Sequence, residues 1–368
     1  MTPPCSAVDE DWRILLSLLP LGWEQQAVLS GSVERLRGFG SVGDLLRTLL
    51  LHVGRGYSLR ETSVRARAAG LAEVSDVALL KRLREMEPWW RWLCEALARE
   101  SGWAVRADSR GWRVRAVDGS LVAEPGRSGG LWRLHYSLQI PSLVCDHLEL
   151  TPLQGASTGE VLNRYPVQAG DLVLADRGYC KPVGISAISR KGAAVIVRLN
   201  TSSLPLLTPV GAVFPLRERL RQVRLPAEVQ DWDVGVKAKA GRIQGRLCVI
   251  RKSEQATLRA QTKIRRKAQQ GGPEVRPETL EYAAWVMVFT TLPREQFSGA
   301  EVLEWYRVRW QIELVFKRLK SLAQFGRLPK HDPQSARAWL YGKLLISLLG
   351  QKLTRTGRDI SPWGYSLN

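Results

Sequence analysis

The sequence predicts an α/β protein: a mixed sheet, interrupted by a β-rich insertion before its last helix, behind an all-helical N-terminal domain. Three observations carry that expectation. Apolar residues recur at three and four spacing from residue 9 to about 100, as in DWRILLSLLP and VGDLLRTLLLHV, which is the period of helices with one buried face. From about residue 103 the texture changes to the alternating and β-branched runs WRVRAVDGSLVA, LWRLHYSLQI, LVCDHLELTPL, DLVLADRGY and AAVIVRLN, as strands require. The short helical segment TGEVLNRY precedes the fourth run and KPVGISAISRKG precedes the fifth. Three strands in succession, then helix, strand, helix, strand, is the order of a mixed sheet.

Within the N-terminal part, Ser58 with Glu61 makes a capping-box pattern before LRETSVRARAAG, and Ser75 with Asp76 opens DVALLKRLREM. These two short helices meet near Gly70 and carry Arg60, Arg65, Arg67, Lys81, Arg82 and Arg84. They fit a helix-turn-helix-like DNA reader or, equally, a plain bundle with solvated arginines. Farther on, VQDWDVGVKAKAGRIQGRLCVIRKS reads as a hairpin turning at Lys239-Ala240-Gly241. It is followed by TLRAQTKIRRKAQQGG, a basic helix or loop containing Lys263, Arg265 and Arg266. The strand WVMVFTTLP (285–293) and a second capping box, Ser298 with Glu301, lead into the long helical stretch WYRVRWQIELVFKRLK (305–320). The expected limits are 1–102 for the helical domain, 103–200 and 284–325 for the two parts of the core, 201–283 for the insertion, and 326–368 for a short helical C-terminal region.

With 368 residues, 45% hydrophobic and 24% charged, the chain can bury cores without disulfides. Its five cysteines, Cys5, Cys94, Cys145, Cys180 and Cys248, form no CxxC pair, so reduced thiols in a cytosol are expected and structural zinc is not. His52, His135, His147 and His331 lack ligand spacing, and neither a GxGxxG nor a Walker-type loop is present. The N-terminus MTPPCSAVDEDW has no signal-peptide pattern. The apolar stretch AWLYGKLLISLLG (338–350) is broken by Lys343 and is too short to span a bilayer. Pump, carrier and receptor functions are thereby set aside, and a cytoplasmic protein is expected. Fifty-four Lys and Arg against thirty-five Asp and Glu leave a net charge of +19, which favours a nucleic-acid partner through release of phosphate counterions.

One acid stands out against that charge. In 305–320 Glu313 is the single carboxylate among Arg307, Arg309, Lys317, Arg318 and Lys320. On a continuous helix Tyr306, Arg309, Glu313 and Lys320 fall within roughly a 60° arc, beside an apolar stripe of Val308, Ile312, Val315, Phe316 and Leu319. Asp118 in VRAVDGSLV and Asp176 in LVLADRGYC each end an apolar strand. Taken singly, each aspartate reads as a turn residue before glycine, and Glu313 as a helix ion-pair partner of Arg309 and Lys317. Taken together, three such carboxylates can hold two hard divalent cations, and the surrounding bases would draw in a phosphodiester.

Tyr306, two residues, Arg309, three residues, Glu313, six residues and Lys320 reproduce the YREK signature of the insertion-sequence transposases of the family of insertion sequence four. The DGS at Asp118 and the DRGY at Asp176–Tyr179 resemble that family's first two acid motifs, and the resemblance runs from about Ser58 to the end of the chain. It implies a DDE transposase with an RNase H-like core, with Asp118, Asp176 and Glu313 catalytic and binding Mg²⁺, with Mn²⁺ as a substitute. It further implies binding of transposon terminal inverted repeats, cleavage of the ends, joining of their 3′-hydroxyls to target DNA, and a homodimer in a synaptic complex. Tyr306, Arg309 and Lys320 would contact phosphates near the scissile bond, and we add Arg177 to them. Some similar enzymes stack a flipped base on a tryptophan in the strand before the signature; Trp285 is the candidate here, one residue out of step with the alignment, which places Val286 there. Only 48 residues follow Lys320, ending in SPWGYSLN, fewer than the family usually has. The alternatives are thus a truncated DNA-binding remnant acting as a repressor, and a structure-selective RNase H-like nuclease.

Overall fold

The computed structural model describes residues 7–102, 110–123, 131–155, 158–239, 241–270, 274–326, 328–329 and 332–358. Cys5, Ala240, His331 and the tail SPWGYSLN lie outside the described residues. Six helices come first: α1 (Ala7–Ser17), α2 (Trp23–Leu29), α3 (Val42–Arg55), α4 (Leu59–Ala68), α5 (Asp76–Glu85) and α6 (Glu87–Gly102). Side-chain caps fix three of their starts, since Ser41, Ser58 and Ser75 accept the backbone N–H groups of Asp44, Glu61 and Ala78. Their inner faces meet through Leu45, Leu49, Val53, Leu79, Leu83, Trp89 and Trp90, all fully buried. Several arginines of α4 and α5 are tied to acids: Arg65 to Glu61 at 2.9 Å, Arg67 to Glu73 at 3.0 Å, Arg82 to Glu85 at 3.3 Å and Arg84 to Asp332 at 3.2 Å. Arg60 and Lys81 are exposed and carry no ion pair among the described residues.

The rest is organised by one nine-stranded sheet of β1 (Arg113–Ala123), β2 (Leu131–Ile140), β3 (Cys145–Pro152), β4 (Asp171–Ala175), β5 (Ala194–Arg198), β6 (Leu206–Leu207), β7 (Val229–Ala238), β8 (Gly241–Arg251) and β9 (Trp285–Thr290). The spatial order is β3-β2-β1-β4-β5-β9-β8-β7-β6. The β1–β4 and β4–β5 pairs are parallel and the others antiparallel. The edge strand β3 is covered by α6, which shields its unpaired backbone. TGEVLNRY forms only a single 3₁₀ turn, Leu162–Arg164, whereas KPVGISAISRKG supplies α7 (Pro182–Arg190).

Residues 201–283 do not stand apart from the core. Their strands β6, β7 and β8 continue the same sheet, because β9 pairs with β5 on one side and β8 on the other. The segment also contains α8 (Leu216–Gln222), α9 (Glu254–Gln269) and α10 (Pro277–Tyr282). Alternation along the strands sorts two cores. Val114, Ala116, Leu172, Leu174, Ala194 and Ile196 face one shared with α6 and the three C-terminal helices, α11 (Gly299–Val308), α12 (Gln311–Ser321) and α13 (Pro333–Arg358). Val117, Val173, Ala175, Val195 and Val197 face the other, with α7 and α8. The C-terminal region is more than a short tail: α13 is 26 residues long and packs on α3, α5 and α6.

Candidate active site

Strand geometry places the first two acids. Val117 lies opposite Ala175, and Ala175 opposite Val197, so residues 118, 176 and 198 fall in one row where β4 and β5 end. Each is an even number of residues from Ala116, Leu174 and Ile196, and so shares their face, toward α11 and α12. Asp118, Asp176 and Arg198 thus line a notch beneath those helices.

The third acid arrives on a helix that is not continuous. α11 is started by the full Ser298–Glu301 capping box, but it ends at Val308 and α12 starts at Gln311. Between them the N–H groups of Arg309, Trp310, Ile312 and Glu313 bond carbonyls three residues back, a 3₁₀-type tightening. The single-helix arc expected from periodicity is therefore corrected: the tight turn sends Tyr306 and Arg309 inward, each 9% exposed, while Glu313 and Lys320 remain at the surface. The Arg309 guanidinium donates to Asp118 Oδ2 at 3.2 Å and to Glu313 Oε1 at 2.5 Å. The Tyr306 hydroxyl donates to Asp176 Oδ1 at 3.4 Å. Arg309 thus ties Asp118 to Glu313, and Tyr306, one turn earlier, reaches Asp176.

The electrostatics of this place demand positive charge. Burial raises the Asp118 pKa to about 6; the Gly119 N–H and Arg309 oppose that rise, while Asp176 and Glu160 reinforce it. Burial works against the Arg309 cation, but Tyr306, Asp176, Asp118 and Glu313 outweigh it and hold its pKa above the ordinary value. Among the described residues no three His, Cys, Asp or Glu side chains already stand as a set that could hold a metal ion. Instead a guanidinium sits between two of the acids. The donor chemistry nevertheless fits hard divalent ions, since the notch offers carboxylate oxygens and no thiolate or imidazole.

A row of cations flanks the acids. Burial of its head group, then Arg198, lowers the Arg177 pKa; burial, then Arg198 and Arg177, lowers that of Lys252. Arg177, Arg198 and Lys252 thus lie close enough to repel one another, and among the described residues no ion pair is made by Arg177 or Arg198, which leaves positive charge concentrated beside the acids. Lys320 is exposed, as are Lys263, Arg265 and Arg266 on α9, which buries no residue fully. Lys81 is open to solvent, but Arg82 is occupied by Glu85 and the Arg35 carbonyl. The assignment of Trp285 to a base is corrected. It is 8% exposed and packs in the core on the far face of the sheet from the acids, with the Arg251 guanidinium 5.9 Å from its ring. Trp310, by contrast, is 50% exposed at the helix break.

Sequence reasoning missed Arg198, Lys252, Trp310 and Glu160. For Arg198 a signal was present, the polar residue closing AVIVR in the same strand phase as Asp176. For the others it was not, because their placement depends on the break in the signature helix and on loop paths.

The family model for the transposase DDE domain matches residues 154–349. The chain is 32% identical over 361 residues to the putative transposase InsL for insertion sequence element IS186A of Escherichia coli (strain K12), covering 96% of each chain. It is 32% identical over 362 residues, again 96% of each, to the transposase for insertion sequence element IS421 of Escherichia coli. A more distant relative is the transposase for insertion sequence element IS1151 of Clostridium perfringens, 23% identical over 207 residues, 52% of this chain and 43% of that one.

Proposed function

Because the chain belongs to the DDE transposases of insertion sequences, enzymes that act on DNA with divalent metal ions, we propose that it performs cut-and-paste transposition: it binds terminal inverted repeats, cleaves the element's ends and joins their 3′-hydroxyls to a target. Asp118, Asp176 and Glu313 are the residues that would hold two Mg²⁺ ions. When bound, such ions activate a water or a 3′-hydroxyl on one side of the phosphorus and stabilise the leaving oxygen on the other. The observation that carries this reading is the double contact of Arg309 with Asp118 and Glu313, next to the Tyr306–Asp176 hydrogen bond. It supports the assignment of Tyr306, Arg309, Glu313 and Lys320 to the YREK signature.

The chain's own groups divide the work. Arg309 neutralises and aligns two acids that would otherwise repel, and the Tyr306 hydroxyl orients the third. Arg177, Arg198 and Lys252 grip phosphates beside the scissile bond, and Lys320, with Lys263, Arg265 and Arg266 on α9, extends that track. Trp310 offers a flat face on which an unpaired base can stack. Two ends must be handled together, so two copies of the chain act in one synaptic complex. The deciding experiment incubates the purified chain with end-bearing duplex, target DNA and Mg²⁺. Joined products are expected; cleavage without joining assigns a nuclease, and end-binding without cleavage assigns a repressor.

Two further results are expected. Ion binding requires ionised Asp118, whose pKa is about 6 in the ion-free protein. Apparent Mn²⁺ affinity should thus be flat above that pH and fall about tenfold per unit below it, as one proton competes. The same shift gives the stability sign: with the folded-state pKa raised above the ordinary aspartate value of 3.8, this group destabilises the ion-free protein as pH rises from about 3.8 to 6. Calorimetric Mn²⁺ titrations between pH 5 and 8 measure the first effect. Replacing Lys263, Arg265 and Arg266 together by alanine should reduce the slope of log affinity against log salt by about 2 to 3, at roughly 0.9 per lost phosphate contact. An unchanged slope removes α9 from the interface.

A further inference from the structure

A fourth carboxylate approaches the two aspartates from the loop between β3 and β4, on the side of the sheet that Gly119, one residue out of phase with Asp118, faces. The Glu160 side chain passes between the glycines that follow the two aspartates: a Cβ on Gly178 would lie 1.8 Å from its Oε2, and one on Gly119 would lie 3.4 Å from its Oε1. Neither glycine has a positive φ, so backbone conformation does not require them. Space does. Among the described residues no donor is placed on the Glu160 carboxylate, while its main chain is tied down, its carbonyl accepting from Lys181 Nζ at 3.2 Å. The same loop is anchored to β2 where Arg133 donates to the Thr158 carbonyl at 3.1 Å.

The loop then returns beneath the notch through Tyr165. Its hydroxyl lies 3.4 Å from the Asp118 carbonyl and 2.9 Å from the hydroxyl of Tyr179, which closes the 3₁₀ turn Arg177–Tyr179 after Asp176. Each ring is 1% exposed. A carbonyl only accepts, so Tyr165 donates to Asp118 and its oxygen accepts from Tyr179. One hydroxyl chain therefore runs from the turn of the second acid to the backbone of the first, and the Glu160 carboxylate lies against the glycines that follow both.

We infer that Glu160, Tyr165 and Tyr179 are positioning residues that set the separation of Asp118 from Asp176, and with it the fit of that pair to a divalent ion. The inference rests on the reading of Asp118 and Asp176 as ion ligands. It is tested on the full chain with Glu160→Gln, Tyr165→Phe and Tyr179→Phe, which keep shape and remove one charge or one hydroxyl. Mn²⁺ binding is followed through the paramagnetic resonance signal of the free ion, with melting temperature measured alongside. The expected result is a Mn²⁺ dissociation constant raised about tenfold in each variant, with metal-free binding to end-bearing duplex unchanged. A merely structural role would lower the melting temperature and leave the dissociation constant of the folded protein alone. Asp118→Asn and Asp176→Asn separate the two layers. If these abolish Mn²⁺ binding while Glu160→Gln and Tyr165→Phe stay within twofold of the unmutated chain, the positioning inference is overturned and the ligand reading stands. If the aspartate variants bind Mn²⁺ normally, the ligand reading falls and takes the inference with it.

Discussion

Asp118→Asn, Asp176→Asn and Glu313→Gln are each expected to abolish strand cleavage, by at least about a thousandfold, or about 4 kcal/mol of transition-state stabilisation, while leaving end-binding intact. The amides keep the size of the acids and remove the charge that would anchor hard ions. The effect should be largest for Asp118. It is the acid shared between Arg309 and the neighbouring Asp176 and Glu160 charges, and its side chain is far less open than that of Glu313, 20% exposed against 61%. The measurement pairs a cleavage assay in Mg²⁺ with a gel shift in its absence. Retention of more than a tenth of the cleavage by any of the three variants would remove that residue from the catalytic set. Loss of end-binding would instead point to a disturbed fold.

Arg309→Lys comes second. The guanidinium makes two bonds to acids on different elements, one 191 residues away in sequence and one four residues on. Its planar fork suits two carboxylates; an ammonium on a flexible stem is a point charge that does not fork. Cleavage should fall about a hundredfold in Arg309→Lys and further in Arg309→Ala, which leaves Asp118 half-enclosed without its cation. Removing one partner of a buried pair destabilises by about 3–5 kcal/mol. With Arg309 and Asp118 side chains 11% and 20% exposed, the lower end of that range applies. A melting curve for Arg309→Ala that matches the unmutated chain would show that the contact carries no structural load.

Much of the architecture could be read from residue patterns. The strand runs around Asp118 and Asp176 hold because β-branched alternation is a local property, and the acids share a face because both keep the phase of their own strands. The expected strand end at Asp118 is corrected, since β1 stays paired with β2 through Gly119 and Ser120 to Ala123 and only Asp176 follows the end of its strand. The Ser298–Glu301 pair likewise announces the start of α11. What could not be read is long-range. Arg309-Trp310 contains neither glycine nor proline, so nothing local marks the turn that divides α11 from α12 and points Arg309 inward. Arg65, Arg67, Arg82 and Arg84 look like a DNA-facing set until their partners are known, and two of those, Glu73 and Asp332, sit outside the helices concerned. Trp285 shows the reverse: its phase relative to Val286 already indicated the far face, where the core buries it.

The position of β9 has a consequence for synthesis. β5, the strand AVIVR, emerges from the ribosome with its outer edge unpaired and meets its partner only after the stretch that builds β6 through α10 has followed. At about 5–20 residues per second that delay is roughly 4 to 17 s. During it the nascent chain displays a flat, apolar, hydrogen-bond-hungry edge, the feature that recruits strands from neighbouring chains into aggregates. Polypeptides released within this window should be insoluble, and those that reach β9 should not.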